Sequence, residues 1–288
     1  MQKVMSPKSS EQSVPVLMYH HVTPEGGSLS CSVRNFDSHL KALVRRGYST
    51  LTAEQFAGFL KGEAIPEKSV VLTFDDGYLN NFVYAHPILK KYNLNALMFL
   101  ITQHIQEGVA RPIMGSGHEL PYSPGHYECK QLIADGRAEE VMLRWEEVRE
   151  MQRQGTFSFH SHTHTHNRWD LSEDAINKNI AIRNDLIQAQ EQLKLYLGDV
   201  STHHCWPQGY FDADYVQIAQ ELGFEYLYTT EPYGFNFSQG DLAHIYRIAA
   251  KNKSGLWLMQ RLWFAKNSRA GRWYNQQKLQ KRARKKVA

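Results

Sequence analysis

Short apolar, β-rich runs recur along the chain with helical patterns between them, and this alternation restricts the fold more than any other feature. The runs are Val14–Met18, Val70–Phe74, Ala96–Ile101, Thr156–Phe159, His203–Trp206, Tyr226–Thr230 and Ile245–Ile248. Between them, Asn35–Arg46 places Phe36, Leu40, Leu43 and Val44 on one helical stripe and stops at Gly47, and Thr52-Ala-Glu-Gln55 has the form of a capping box. Ser172–Leu197 reads as the clearest helix, with Ser172 as its cap, acids in the first turn and Gly198 as terminator. Asp212–Leu222 ends similarly at Gly223. Strands alternating with helices imply a parallel sheet with helices outside, and one uninterrupted series of roughly 250 residues favours a single α/β barrel over two domains. Gln106–Ala138, rich in Gly, Pro and His, is an irregular insert ahead of a Trp145–Gln154 helix. A loop of that length is a lid or binding loop, or a partly disordered segment.

Composition narrows the setting. With 42% hydrophobic and 22% charged residues over 288 positions, the chain can bury roughly three quarters of its unfolded surface in one core. No stretch approaches the roughly 18 apolar residues of a membrane span, and residues 1–13 are polar, so nothing reads as a signal peptide or anchor. Cys31, Cys129 and Cys205 are odd in number and far apart, which fits a reducing compartment and predicts a cytoplasmic protein. The net charge of +4 hides an asymmetry: residues 257–288 carry ten Lys or Arg and no acid, so residues 1–256 carry 23 basic and 29 acidic groups, or −6. A basic, aromatic extension at 257–288 behind an acidic body at 14–256 suggests an anionic partner surface.

Two segments carry chemistry. Thr73-Phe-Asp-Asp-Gly-Tyr78 puts adjacent acids at the end of a buried strand, where barrels keep their active sites. Charges beside a core are costly without a purpose, although a helix cap and turn at Asp75-Asp-Gly would also explain them. His160-Ser-His-Thr-His-Thr-His166 places four of the fourteen histidines within seven residues. If extended, the segment throws all four imidazoles to one face, whereas a turn after the strand brings i and i+4 together. Two histidines and a carboxylate, with water completing the shell, make a catalytic rather than a structural metal site.

These motifs, followed by Cys205-Trp-Pro-Gln-Gly-Tyr210, resemble the polysaccharide deacetylases among the carbohydrate esterases, over about residues 14 to 250. The resemblance implies a distorted (β/α)7 barrel, with Asp75 as the catalytic base and Asp76, His162 and His166 as ligands of a divalent metal. Zinc suits that donor set. Two family features are missing. No late Leu-His motif follows Ile245, and Pro15-Val-Leu-Met-Tyr-His-His-Val22 is similar instead to the branch acting on poly-N-acetylglucosamine, whose Tyr-His at the first strand supplies the general acid. That role passes to His20, with His21 as competitor. Neighbours on a strand face opposite ways, so only one of them can point into the barrel. The family's Arg-Pro-Pro-Tyr-Gly pattern would also put Arg at Cys205 and Tyr at Gln208. The missing arginine leaves the orientation of Asp75 unexplained; Arg247 is a substitute for it, assigned to the substrate and oxyanion side of the site, and a backbone N–H near Gln208 is an oxyanion donor.

The implied activity is removal of the N-acetyl group from an N-acetylhexosamine in a cell-envelope glycan. A cytoplasmic enzyme would act on a lipopolysaccharide or lipid-linked saccharide, peripheral to the inner membrane through its tail. An exported biofilm or cell-wall polysaccharide is the alternative substrate, and a sugar-binding barrel without activity the alternative function. Trp257–Phe264 reads equally as a last core helix. Nucleic-acid binding by the tail rests on charge alone and is disfavoured.

Overall fold

The computed structural model describes residues 12–287, so the polar segment 1–13 lies almost wholly outside the described residues. Seven parallel strands form the main path of the sheet: β1 (Val16–Tyr19), β2 (Ser69–Asp76), β3 (Ala96–Leu100), β4 (Phe157–Ser161), β5 (His203–Cys205), β6 (Tyr226–Tyr228) and β7 (Ile248–Ala249). Their order is β7-β1-β2-β3-β4-β5-β6, and a short strand, Ser49–Thr50, pairs with the start of β2. Between β6 and β7 the ladder shrinks to a bridge from Tyr228 to Ile245. The barrel is therefore distorted: Ile245, predicted in the last strand, lies against β6, and β7 begins three residues later against β1.

Period-2 alternation separates two cores. Val16, Val71, Leu97, Phe99 and Tyr228 fill the interior with Phe56 and Phe59. Leu17, Leu72, Phe74, Met98 and Phe157 face the surrounding helices. The helices of the chain are α1 (Val33–Arg45), α2 (Ala53–Leu60), α3 (His86–Tyr92), α4 (His126–Ala134), α5 (Trp145–Arg153), α6 (Trp169–Ser172), α7 (Ala175–Leu197), α8 (Ala213–Glu221), α9 (Gly255–Lys266) and α10 (Ser268–Val287) among the described residues, and α1, α3, α5, α7 and α9 contribute to this outer core. On α1, His39 is buried with Phe36, Leu40 and Leu43 while Val44 is exposed, because the buried stripe follows the i, i+3, i+4, i+7 spacing. The capping box at Thr52 is complete.

Two expectations change, and of the two readings of Trp257–Phe264 the core helix is the one observed. The long helix starts at Ala175, capped by Asp174, whose carboxylate accepts from the Ile176 and Asn177 N–H groups; Ser172 instead ends α6. Residues 106–138 are not irregular throughout, since α4 packs Cys129 and Leu132 against Tyr78, Val141 and Met142. The packed body runs past 256: α9 buries Leu258 and Leu262 in the outer core, and its Gly255 lies so close to α1 that a Cβ would come within 2.3 Å of the Ser38 carbonyl. Eight of the ten basic residues of 257–288 follow Asn267.

Candidate active site

Alternation along β1 sends Tyr19 outward and His20 inward. His20 lines a cavity of about 440 Å3 at the C-terminal ends of the strands, with its Nε2 3.9 Å from Asp75 Oδ2. His21 faces the other way, fully buried and stacked on Tyr78 at 3.8 Å between ring centroids. Asp75 continues the inward set of β2 after Val71 and Thr73. Asp76 would by alternation point outward, but its left-handed backbone, φ 76°, breaks the register and it lines the same cavity. Gly77 follows at φ 87°, where a Cβ would stand 2.7 Å from Leu100 Cδ2, so the turn accepts only glycine without a shift.

Asp75 is held by Arg247. The guanidinium donates from Nη1 to Oδ1 at 2.7 Å and from Nη2 to Oδ2 at 2.9 Å, while its Nε donates to the Thr229 carbonyl at 2.7 Å. A bidentate fork of this kind fixes the plane of the carboxylate. Burial alone would raise the Asp75 carboxyl, but the Arg247 cation, with His20 and His162, holds it below the usual aspartate value. Arg247 is itself fully buried and is absent from the cavity wall. Arg247 thus takes the place of the missing arginine in orienting Asp75, and its expected place beside substrate is corrected: it reaches the site through Asp75.

The histidine segment divides. β4 extends through Ser161, and His160 and His162 both point inward, one layer apart. His160 is tied to Ser158 and Ser201 by hydrogen bonds of 2.8 and 2.6 Å, away from the acids. After His162 the chain turns through left-handed residues at Thr163, φ 63°, and His166, φ 62°, and the His166 N–H donates to Thr163 Oγ1. This turn brings the rings of His162 and His166 within 4.8 Å and directs His164 to Thr102 instead. Non-glycine residues at positive φ cost of order 1–3 kcal/mol each and persist where their surroundings over-determine them. Here Asp185 of α7 does so: its carboxylate accepts from the His164 and Thr165 N–H groups, the Thr165 hydroxyl and the Trp169 indole N–H at 2.8–2.9 Å. The sequence reading missed Asp185. Its signal was an acid inside the buried stripe Ile182, Leu186, Ala189 and Leu193.

Asp76, His162 and His166 offer ligand atoms that all lie within 4.8 Å of one another. Asp76 Oδ1 is buried without a hydrogen-bond partner, 3.3 Å from His162 Nε2 and 3.8 Å from His166 Nε2. His162 Nδ1 is 2.7 Å from the Cys205 carbonyl, an acceptor that holds the proton on Nδ1 and turns Nε2 toward Asp76. An orphaned carboxylate oxygen and an imidazole oriented in this way fit a divalent cation. A second group, Asp75, His162 and Cys205, is also compact, but Arg247 Nη2 already sits 3.0 Å from Cys205 Sγ and burial raises the thiol. A cation there would meet a guanidinium and a protonated sulfur.

Gln208 lines the cavity in a left-handed conformation, φ 54°. Of the insert's histidines, His126 lines the cavity, while His118 is exposed.

A polysaccharide deacetylase family model matches residues 62–227. Poly-beta-1,6-N-acetyl-D-glucosamine N-deacetylases of Staphylococcus aureus are 25% identical over 244 residues, 78% of this chain and 74% of theirs. A stretch of 93 residues, 32% of the chain, is 42% identical to YxkH of Bacillus subtilis, of which it spans a third. Among solved structures, the Streptococcus pyogenes deacetylase PplD superposes with a TM-score of 0.68 at 24% identity, covering 86% of this chain and 97% of that one. IcaB from Ammonifex degensii gives 0.68 at 23%, covering 88% and 97%. These two share the fold.

Proposed function

Since the chain belongs to the polysaccharide deacetylase family, we propose that it hydrolyses the N-acetyl group of N-acetylglucosamine units in a cell-envelope glycan, with Asp75 as base and His20 as acid. The observation that carries this reading is the pair of neighbouring acids with divided surroundings: Asp75 forked by Arg247, and Asp76 with its Oδ1 buried and lacking a hydrogen-bond partner beside two imidazoles. Asp76, His162 and His166 would hold a divalent metal, zinc by donor type. Such an ion acidifies water and polarises a carbonyl.

The chain's own groups do the rest. Asp75, ionised and fixed in plane, takes the proton from the attacking water. As the C–N bond breaks, His20, on the same wall as Asp75, gives a proton to the departing amine. A backbone N–H near Gln208 faces the oxygen that gains charge. Free acetate and a glucosamine unit leave.

Acetate release from an N-acetylglucosamine oligosaccharide tests this, together with mass spectrometry of envelope glycans with and without the protein. Treatment with a chelator should abolish release and added zinc should restore it. Release that is indifferent to chelation would refute the metal assignment, and a metal-loaded protein that releases no acetate would support the sugar-binding barrel.

The named substrate of the Staphylococcus relatives favours a polymer of N-acetylglucosamine. The tail favours a membrane-linked saccharide as a second reading: Leu256, Trp263 and Trp273 are exposed on α9 and α10 beside a run of Lys and Arg without acids, a mixture suited to anionic lipid. Each basic residue near such a surface contributes about 1 kcal/mol, screened as salt rises. Deleting residues 276–288 should leave turnover of a soluble oligosaccharide unchanged and weaken sedimentation with anionic liposomes, most at low salt. Equal liposome binding by both proteins would eliminate the membrane reading.

A further inference from the structure

His126 opens α4, with Gly125 at the helix cap. Cys129 and Leu132 of the same helix are buried against Tyr78, Val141 and Met142, so the insert carries this histidine to the cavity on a packed support. Its Nδ1 is 3.1 Å from His21 Nε2, and His21 Nδ1 is 2.9 Å from Asn80 Nδ2.

The direction of these bonds is decided at Asn80. The Val22 N–H donates to Asn80 Oδ1 at 3.1 Å, which identifies the other amide atom as nitrogen, a donor only. His21 Nδ1 must then accept. Burial pushes His21 down to about 3, so the ring is neutral and its one proton sits on Nε2. That proton is donated to His126 Nδ1, which therefore accepts in turn. Burial also lowers His126, and a proton on its Nδ1 would face the His21 N–H. The remaining nitrogen, Nε2, carries the hydrogen, and among the described residues it has no hydrogen-bond partner.

We propose that His126 is a substrate-binding residue that presents a fixed Nε2–H donor to an oxygen of the glycan beside the reacting acetamide, its polarity set by Asn80 through His21. The buried chain explains why two polar side chains, His21 and Asn80, stand behind the cavity wall without reaching it. His20 and His126 then differ in kind. The ring centroids are 6.5 Å apart, but only His20 lies near Asp75, and only His126 is locked in one tautomer by a neighbour.

The identity of the ligand rests on the deacetylase reading; the tautomer does not. Nitrogen chemical shifts of histidine-labelled, zinc-loaded protein at neutral pH should show His126 and His21 both neutral with the proton on Nε2. In kinetics with an N-acetylglucosamine oligosaccharide, His126→Leu should raise KM by roughly three- to tenfold, the worth of one neutral hydrogen bond, with kcat within about threefold. His126→Gln, which keeps an N–H at the same reach, should restore KM to near the wild-type value. A cationic or Nδ1-protonated His126 would overturn the proposal. So would equal KM losses in both variants, an unchanged KM in His126→Leu, or a loss confined to kcat. A wild-type protein that releases no acetate refutes the deacetylase reading instead, and the nitrogen shifts then decide the donor assignment alone.

Discussion

Asp75→Asn is expected to lower acetate release by roughly a hundredfold or more, the usual contribution of a positioned base, while the protein still binds one metal ion per chain. The two effects separate because the metal-holding groups, Asp76, His162 and His166, keep their own neighbours. A third effect follows from Arg247. It is fully buried and its only ionic partner among the described residues is Asp75, so the neutral amide leaves a guanidinium without compensation. Removing one member of such a pair costs about 3–5 kcal/mol. Rates must therefore be referred to folded protein, with unfolding monitored in parallel. Arg247→Lys supplies the contrast: it keeps the charge but loses the fork, so activity should fall through a mis-set carboxylate plane while Asp75 remains ionised. Folded, metal-loaded Asp75→Asn with near-normal turnover would show that Asp75 serves only to neutralise Arg247.

The same pair shows what a sequence can and cannot disclose. Arg247 stands 172 positions from Asp75, and nothing local in Tyr246-Arg-Ile248 announces the contact; only the absence of an arginine at Cys205 points to it. The strand alternation was legible because a period of two is written in every apolar run, and it shows without a structure that only one of His20 and His21 can face the barrel, though not which. The turn after His162 was not. Two extended or turned histidine patterns fit Ser161–His166 equally, and the choice depends on Asp185, which arrives from the middle of a helix some twenty residues on. Likewise Asp76 belongs by alternation to the outer face, and only a left-handed backbone at the Asp-Gly step returns it to the cavity. His126 lay in a stretch whose composition suggested a loop, since α4 is short and its apolar residues pack on a satellite cluster away from the main core. Departures from local regularity thus gather at the site, where strain is held by contacts distant in sequence.

Asp185→Ala is the most searching test of that arrangement. The carboxylate is nearly inaccessible and accepts four hydrogen bonds from the 164–169 segment. Deleting it leaves two backbone N–H groups, a hydroxyl and an indole N–H without their acceptor, and each buried donor left unmet costs about 1–3 kcal/mol. Water can reach the outer edge of the turn, where Asn167 is exposed, so a loss of about 3 kcal/mol is expected rather than the full sum. The larger consequence is at His166. With Thr163 and His166 both at positive φ, the turn should relax once its acceptor is gone, and the imidazole should leave the position that faces Asp76. Groups that orient a ligand are worth roughly 10–100-fold in metal affinity, so zinc affinity measured by chelator competition should fall by that factor in protein that is still folded. Asp185→Asn keeps an acceptor oxygen for the backbone N–H pair but turns an NH2 group toward the remaining donors, which places it between the two. If Asp185→Ala unfolds at the wild-type urea midpoint and holds zinc as tightly, the turn is set by residues 161–166 alone and Asp185 has no part in building the site.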